Sequence, residues 1–145
     1  MQNSDQQIFL TVDGLVTDGT SVILIKRAHE PFLETLVLPG GHVDFVDESA
    51  KAACARELSE EINFQPELDQ LELLMILDKP DRDPRPNRRI SIVYLIALPE
   101  LPKNIQAQSD AKQIVIRELK NLKPEEIGFD HIKAIELAKE RLAKF

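Results

Sequence analysis

The pattern of apolar and polar positions predicts β-strands near the start of the chain. Residues 8–16 and 21–27 are apolar runs rich in β-branched side chains, and a polar segment containing Asp18 and Gly19 joins them. An Asp-Gly pair between two such runs is typical of a β-hairpin. We therefore expect two antiparallel strands, the second of which ends on basic residues.

Further apolar runs predict the rest of a sheet. Residues 36–38 and 114–117 have the length and composition of short strands, whereas residues 71–77 and 90–98 are near-continuous apolar runs. Runs of the second kind are expected where a strand is buried on both faces. Residues 78–89 lie between these two runs, are rich in proline and alternate in charge, so we expect a loop there.

Two segments have helical spacing. In residues 49–62, apolar residues share one stripe and carboxylates gather on the opposite side, with Asp47 or Ser49 available as the cap. The stripe consists of Ala55, Leu58 and Ile62, and the carboxylates are Glu57, Glu60 and Glu61. Asp130 can cap a final helix, whose apolar positions are Ile132, Ile135, Ala138 and Leu142. These elements predict an α+β fold in which a mixed sheet lies between helices.

Length and charge limit the class of protein. A chain of 145 residues with 43% apolar content is expected to form a single domain over residues 1–145. The net charge of −7 argues against nonspecific nucleic-acid binding and favours a small-molecule partner. The chain has no apolar run of membrane-spanning length and no signal-like start, so we expect a cytoplasmic protein with no membrane partner. Cys54 is the only cysteine, and the small residues around it favour packing over a nucleophilic role.

The acidic side of the first helix is a candidate metal site. Its carboxylates at i, i+3 and i+4 repel one another by roughly 0.2–0.5 kcal/mol per exposed pair, and a hard divalent ion would reverse that repulsion. The alternative is a solvated helix face. Gly40 and Gly41 directly before the helix favour the metal site, because backbone without Cβ atoms can approach an ion or a phosphate closely.

With the glycines, this segment resembles the Nudix box. The Arg-Glu-apolar-x-Glu-Glu core of that motif matches Arg56, Glu57, Leu58, Ser59, Glu60 and Glu61 residue by residue. Six residues rather than five separate Gly41 from Glu48, so either Glu48 or Asp47 takes the place of the upstream family glutamate. We favour Glu48, because the count to Arg56 is intact. Asn63 replaces the family glycine after the helix, where a left-handed conformation is usual and Asn substitutes best.

The resemblance implies roles for these residues. Mg²⁺ or Mn²⁺ would be held by the Gly40 carbonyl, Glu57, Glu60 and Glu61, while Arg56 would orient Glu57 with Glu48 as its own partner. The proton acceptor stays open between Glu57 and Glu60. Many relatives carry a later glutamate near the strand at residues 114–117, where this chain has Gln113, and Asp110 and Glu118 are weaker candidates.

Two other segments narrow the substrate implied by the resemblance. The Arg82-Asp83-Pro84-Arg85 loop and Phe129-Asp130-His131 resemble segments of family members that cleave ADP-ribose to AMP and ribose 5-phosphate. The implied substrate contacts are Arg27, Gly41, Phe45, Arg82, Asp83, Arg85 and Asp110, with Phe45 either stacking on adenine or serving as a core aromatic. The resemblance also implies a possible homodimer. The alternatives are a hydrolase of oxidised nucleoside triphosphates and a non-catalytic ADP-ribose sensor.

Overall fold

The predicted strands and helices follow one another in the expected order, and one further strand, at Gly40–His42, forms where the sequence indicated only a glycine loop. The structure is a computed structural model and describes residues 5–108 and 112–144. Within those residues the strands are β1 (Ile8–Thr17), β2 (Ser21–Lys26), β3 (Leu36–Val37), β4 (Gly40–His42), β5 (Glu72–Leu77), β6 (Arg88–Ala97) and β7 (Gln113–Glu118). The helices are α1 (Ala50–Ile62) and α2 (His131–Leu142), and single 3-10 turns form at Leu68–Gln70, Leu119–Asn121 and Pro124–Glu126.

Strand β1 lies at the centre of one mixed sheet, whose order is β3-β2-β1-β6-β5. It pairs in parallel with β6 along its whole length and antiparallel with β4 through the partners Thr11↔His42 to Asp13↔Gly40. Strand β7 adds antiparallel to β2. The pairing of β1 with β4 fixes the glycines of β4 to the middle of the sheet.

The β1–β2 connection confirms the expected hairpin. Gly19 adopts a φ of 94°, a conformation that a residue with a Cβ rarely adopts. The Asp18 carboxylate accepts hydrogen bonds from the backbone N–H groups of Thr20 and Ser21 at 2.9 and 2.8 Å. The Asp-Gly pair therefore supplies both the turn geometry and the hydrogen bonds that stabilise it.

Each face of the sheet has its own buried core. Leu15 and Leu24 pack with Ile135 on the α2 side, whereas Val12 and Leu58 belong to the core on the α1 side. Neighbouring residues of β1 thus point to opposite helices, as the strand period of two requires. This arrangement is an α/β/α sandwich and confirms the predicted fold class.

The ends of α1 also confirm the prediction. The Ser49 hydroxyl accepts a hydrogen bond from the Ala52 N–H at 3.0 Å, so Ser49 rather than Asp47 is the cap. Asn63 ends the helix in the left-handed conformation with φ 59° and ψ 38°. On the predicted stripe Leu58 and Ile62 are fully buried, but Ala55 is only partly buried and Cys54 is buried instead.

Two expectations about the fold are wrong. Strand β5 forms the end of the β3-β2-β1-β6-β5 order and is buried on one face only, so Leu73 and Ile76 are about half exposed. An apolar run alone does not distinguish an end strand from a central one. Asp130 does occupy the N-cap position of α2, but its side chain makes no capping bond and binds Arg82 instead.

Within the described residues, no helix is long and apolar enough to span a membrane.

Candidate active site

The glycine segment lies so close to its surroundings that side chains are excluded. A Cβ on Gly40 would lie 2.1 Å from the Val12 carbonyl oxygen, and one on Gly41 would lie 2.4 Å from the Glu57 carboxyl carbon. Both distances are far shorter than a carbon contact permits. The two glycines therefore allow the backbone of β4 to reach β1 on one side and the carboxylates of α1 on the other.

Glu57 and Glu61 are one helical turn apart and face this glycine segment. Their side chains are only 13% and 11% exposed. One Glu61 oxygen accepts the Gly40 N–H at 3.3 Å, and the other lies 2.6 Å from Lys112 Nζ. Burial raises the pKa of both carboxyl groups, an effect that Arg56 opposes at Glu57 and Lys112 opposes at Glu61. Two mostly desolvated carboxylates on one helix face are thus a candidate site for a cation.

Arg56 connects the acidic side of α1 to the loop before it. Its guanidinium donates to Asp47 at 2.9 and 3.0 Å, to Glu57 at 3.0 Å and to Glu60 at 3.1 Å. It also donates to the His42 carbonyl at 3.0 Å. The hydrogen bonds raise the pKa of Arg56 and lower that of Asp47. One guanidinium thus contacts both Glu57 and Glu60.

The expected partner of Arg56 was wrong. Asp47 forms the two-pronged contact with the guanidinium, whereas Glu48 is exposed and makes no hydrogen bond to Arg56 in the described residues. Five residues separate Gly41 from Asp47, as in the family motif, so the extra residue lies after Asp47, where eight residues rather than seven precede Arg56. Counting from Arg56 alone does not reveal this shift.

A cleft of about 290 Å³ is lined by Glu61 together with Gly40 and Gly41. Its far wall carries Phe129, with the guanidinium carbons of Arg27 and Arg85 at 4.9 and 5.6 Å from the ring centroid. Asp83 accepts from Arg85 Nε at 3.0 Å and Nη2 at 2.6 Å. Burial alone would raise the pKa of Asp83, but the bonds from Arg85 outweigh burial and lower it. This wall offers cationic and aromatic groups, whereas the glycine side offers carboxylates.

Arg82 belongs to the same cleft but is already paired. Its guanidinium donates to both oxygens of Asp130, with the shortest contact at 2.8 Å, and its side chain is 5% exposed. The pair joins the loop before β6 to the start of α2, 48 residues away. Arg82 therefore holds the loop that presents Arg85.

A buried polar group in the floor of the cleft was missed by the sequence reasoning. Asp13 accepts a hydrogen bond from the Ser91 hydroxyl and lies 3.6 Å from His131 Nε2. His131 Nδ1 accepts the Leu38 N–H at 3.0 Å, and burial lowers the pKa of this histidine. The neutral imidazole thus holds the strand end that leads into the glycines. The available signal was the carboxylate of Asp13 inside an otherwise apolar run.

Other candidates from the sequence lie away from the cleft. Phe45 is fully exposed, so its role as a core aromatic is wrong, and its ring does not line the cleft. Glu118 contacts Lys120 and Asn121 at the far end of β7, and Gln113 pairs with Lys26 across the sheet. Glu60 binds Arg56 at the exposed edge of α1. Asp110 lies outside the described residues.

The donor set is suited to a hard divalent cation. Glu57, Glu61 and the Gly40 carbonyl provide oxygen atoms only, which is the ligand type that Mg²⁺ and Mn²⁺ prefer. Among residues 5–108 and 112–144, no group of three or more His, Cys, Asp or Glu side chains is already arranged around an ion position. In this structure Arg56 pairs with Glu57 and Glu60, and Lys112 pairs with Glu61.

This combination of fold, glycine segment and acidic helix defines a family. The NUDIX domain model matches residues 8–144, and the chain belongs to the Nudix family. A curated ADP-ribose pyrophosphatase of Methanocaldococcus jannaschii is 36% identical over 126 residues, which cover 87% of this chain and 70% of that protein. The resemblance noted in the sequence is therefore confirmed.

Solved structures agree with this assignment. A bifunctional NMN adenylyltransferase/ADP ribose pyrophosphatase of Francisella tularensis, complexed with AMP and a Mn ion, is 29% identical with a TM-score of 0.80. The match covers 97% of this chain but 43% of that one, so this chain spans less than half of the bifunctional protein.

A second relative has been solved with two kinds of ligand. The NUDIX domain of Shewanella oneidensis NrtR, complexed with ADP ribose, is 29% identical with a TM-score of 0.80 and coverage of 94% and 90%. NrtR complexed with a 27mer DNA is 28% identical with a TM-score of 0.69 and coverage of 93% and 62%. Domains of this shape thus occur in catalytic and in DNA-binding proteins.

Proposed function

We propose that this chain is a divalent-metal-dependent hydrolase that cleaves ADP-ribose to AMP and ribose 5-phosphate. The observation that carries the proposal is the pair of mostly buried carboxylates, Glu57 and Glu61, packed against Gly41 and Gly40, with Glu61 lining a cleft that arginines also line. The named ADP-ribose pyrophosphatase of M. jannaschii supports the substrate.

The metal would be Mg²⁺ or Mn²⁺, held by the Gly40 carbonyl, Glu57, Glu60 and Glu61. When bound, such an ion neutralises phosphate oxygens and lowers the pKa of a bound water. Burial raises the pKa of Glu57 and Glu61 because it destabilises their charged forms. A bound cation would stabilise those charged forms, so burial favours ion binding. Glu60 is more exposed and would join only after leaving Arg56.

The other residues have supporting roles in this proposal. Arg56 positions Glu57, and Asp47 holds Arg56 in place. Either Glu57 or Glu60 accepts the proton of the attacking water, whose oxygen then bonds to phosphorus as the bridging P–O bond breaks. Gln113 cannot take this role, since an amide is not a base.

Arg27 and Arg85 are suited to the remainder of the substrate. Their guanidinium groups lie on the cleft wall with Phe129, where they can donate to phosphate or ribose oxygens. Gly41 lets the substrate approach the carboxylates, whereas Arg82 and Asp83 hold the Arg85 loop. Phe45 would reach a nucleotide only from outside the cleft, so we do not assign it the adenine.

A substrate panel tests the proposal. With Mg²⁺ or Mn²⁺ present, we expect ADP-ribose to release AMP faster than any deoxynucleoside triphosphate releases pyrophosphate. Faster release of pyrophosphate would instead identify a hydrolase of nucleoside triphosphates. Tight binding of ADP-ribose without turnover would identify a sensor. The NrtR domain, which was solved in complex with ADP ribose, is the relative with which such a sensor would be compared. The single domain, cytoplasmic location, homodimer and lack of nucleic-acid binding stay predictions.

A further inference from the structure

Lys112 binds the carboxylate that the proposed metal ion needs. Its Nζ lies 2.6 Å from Glu61 Oε1, although the two residues are 51 positions apart in the sequence. The second oxygen of Glu61 accepts the Gly40 N–H. Both oxygens of this mostly buried carboxylate are therefore engaged, one by a fixed backbone group and one by a side-chain cation.

The two contacts differ in how easily they can be exchanged. The Gly40 N–H belongs to β4, which is paired with β1. The Lys112 ammonium stands at the end of a flexible side chain of four carbons, and this side chain is 41% exposed. A divalent ion that binds Glu61 from the cleft would compete with the ammonium for Oε1. Because two cations on one carboxylate oxygen repel each other, the ion and the ammonium exclude one another there.

A released ammonium would remain close to the substrate. Lys112 lines the same cleft as Arg27, Arg85 and Gly41, and its three donors can rotate toward any phosphate oxygen. The substrate diphosphate is the group that a metal at Glu61 brings into this part of the cleft. The lysine thus has one anionic partner before metal binding and a second one after it.

We propose that Lys112 is the counter-ion of Glu61 in the metal-free protein, and that metal binding transfers its ammonium from Glu61 to the substrate diphosphate. This inference rests on the proposed function, because it takes Glu61 to be a metal ligand. It makes Lys112 a substrate-binding residue that also weakens metal binding in the absence of substrate.

Calorimetric titration with Mg²⁺ alone tests the first half of the exchange. Lys112→Met should bind Mg²⁺ about tenfold more tightly than the unmodified protein, which is an ordinary coupling between two ligands. Lys112→Arg keeps the charge and should bind Mg²⁺ like the unmodified protein. Lys103→Met is the matched control, since Lys103 forms a loose, exposed pair with Glu100 at 3.8 Å. Equal or weaker Mg²⁺ binding by Lys112→Met would overturn the inference.

Steady-state kinetics test the second half. At saturating Mg²⁺, Lys112→Met should raise KM for ADP-ribose about tenfold, with kcat changed less than about threefold, because the lysine contributes binding rather than chemistry. In EDTA, the same variant should melt at a lower temperature than Lys103→Met, since Glu61 loses its counter-ion. An unchanged KM would overturn the transfer to substrate.

Glu61→Gln distinguishes failure of this inference from failure of the proposed function. If Glu61→Gln binds Mg²⁺ as well as the unmodified protein, Glu61 is not a ligand and the proposed metal site fails together with the inference. If Glu61→Gln loses Mg²⁺ binding while Lys112→Met binds like the unmodified protein, the metal site stands and only the exchange is wrong.

Discussion

The guanidinium of Arg56 and the carboxylate of Asp47 form a two-pronged contact, with N–O distances of 2.9 and 3.0 Å. The same guanidinium donates to Glu57, so Asp47 determines indirectly where the Glu57 carboxylate lies. In the proposed metal site, a contact of this kind would orient a ligand without touching the ion. The contact also indicates that the extra residue of the loop follows Asp47, because the next residue, Glu48, faces solvent.

Asp47→Asn should therefore impair catalysis, whereas Glu48→Gln should not. We expect kcat/KM for ADP-ribose to fall by about 10- to 100-fold in Asp47→Asn, the range found for residues that hold metal ligands. Glu48→Gln should stay within about twofold of the unmodified protein, as a surface substitution does. A larger loss in Glu48→Gln than in Asp47→Asn would restore Glu48 as the partner of Arg56.

Gly41→Ala should damage the site and spare the fold. The new Cβ would lie 2.4 Å from the Glu57 carboxyl carbon, so the flexible end of Glu57 must move. We expect kcat to fall by about a hundredfold, since a shift of about 1 Å costs that much. Gly19→Ala is the matched comparison, because Gly19 has open space but a φ of 94°. It should lower the melting temperature and leave kcat unchanged, and the reverse pattern would contradict this account.

Cys54 should react only when the protein unfolds. Burial raises the pKa of its thiol to about 12, above the ordinary value of 9.0. Because the folded-state pKa is the higher one, this group supports folding fully below its unfolded pKa, and the support is lost as the pH rises toward the folded value. At about pH 8, a thiol reagent should therefore label the native protein slowly and the denatured protein at once. Rapid labelling of the native protein would mean that α1 is loosely packed.

Arg82 and Arg85 should respond differently to removal of their charge. Arg82→Met leaves Asp130 buried without its partner, and breaking such a pair typically costs about 3–5 kcal/mol of unfolding free energy. Arg85 is 41% exposed, and its partner Asp83 keeps the Arg85 backbone N–H and the nearby Arg89 guanidinium, so Arg85→Met should lower the unfolding free energy by less than Arg82→Met does. It should instead raise KM for ADP-ribose. Urea denaturation and steady-state kinetics separate the two effects, and equal stabilities would contradict the assigned roles.

Local patterns were sufficient for the parts of the molecule that depend on neighbouring residues. The hairpin at Asp18 and Gly19 and the left-handed Asn63 each depend on one or two side chains and their backbone, and the helix cap was narrowed to Asp47 or Ser49, of which Ser49 is the cap. The acidic face of α1 follows from helical spacing. These features are set within a few residues, so sequence spacing predicts them well.

Sequence spacing does not predict contacts between residues that are far apart in the chain. Lys112 meets Glu61 across 51 residues, and Arg82 meets Asp130 across 48. Their pairing depends on how β7, α1 and α2 are placed around the sheet, which no local pattern records. The half-exposed β5 has the same origin, since its position at the end of the sheet order is a property of the topology.

Product analysis with Glu61→Gln tests the central claim most directly. Incubated with ADP-ribose and Mg²⁺, the unmodified protein should release AMP and ribose 5-phosphate in equal amounts, and Glu61→Gln should release them at least about a hundredfold more slowly. The variant should keep its fold, because Glu61 faces the cleft rather than the core. Release of AMP by Glu61→Gln at the unmodified rate, or no AMP from the unmodified protein with either Mg²⁺ or Mn²⁺, would contradict the account.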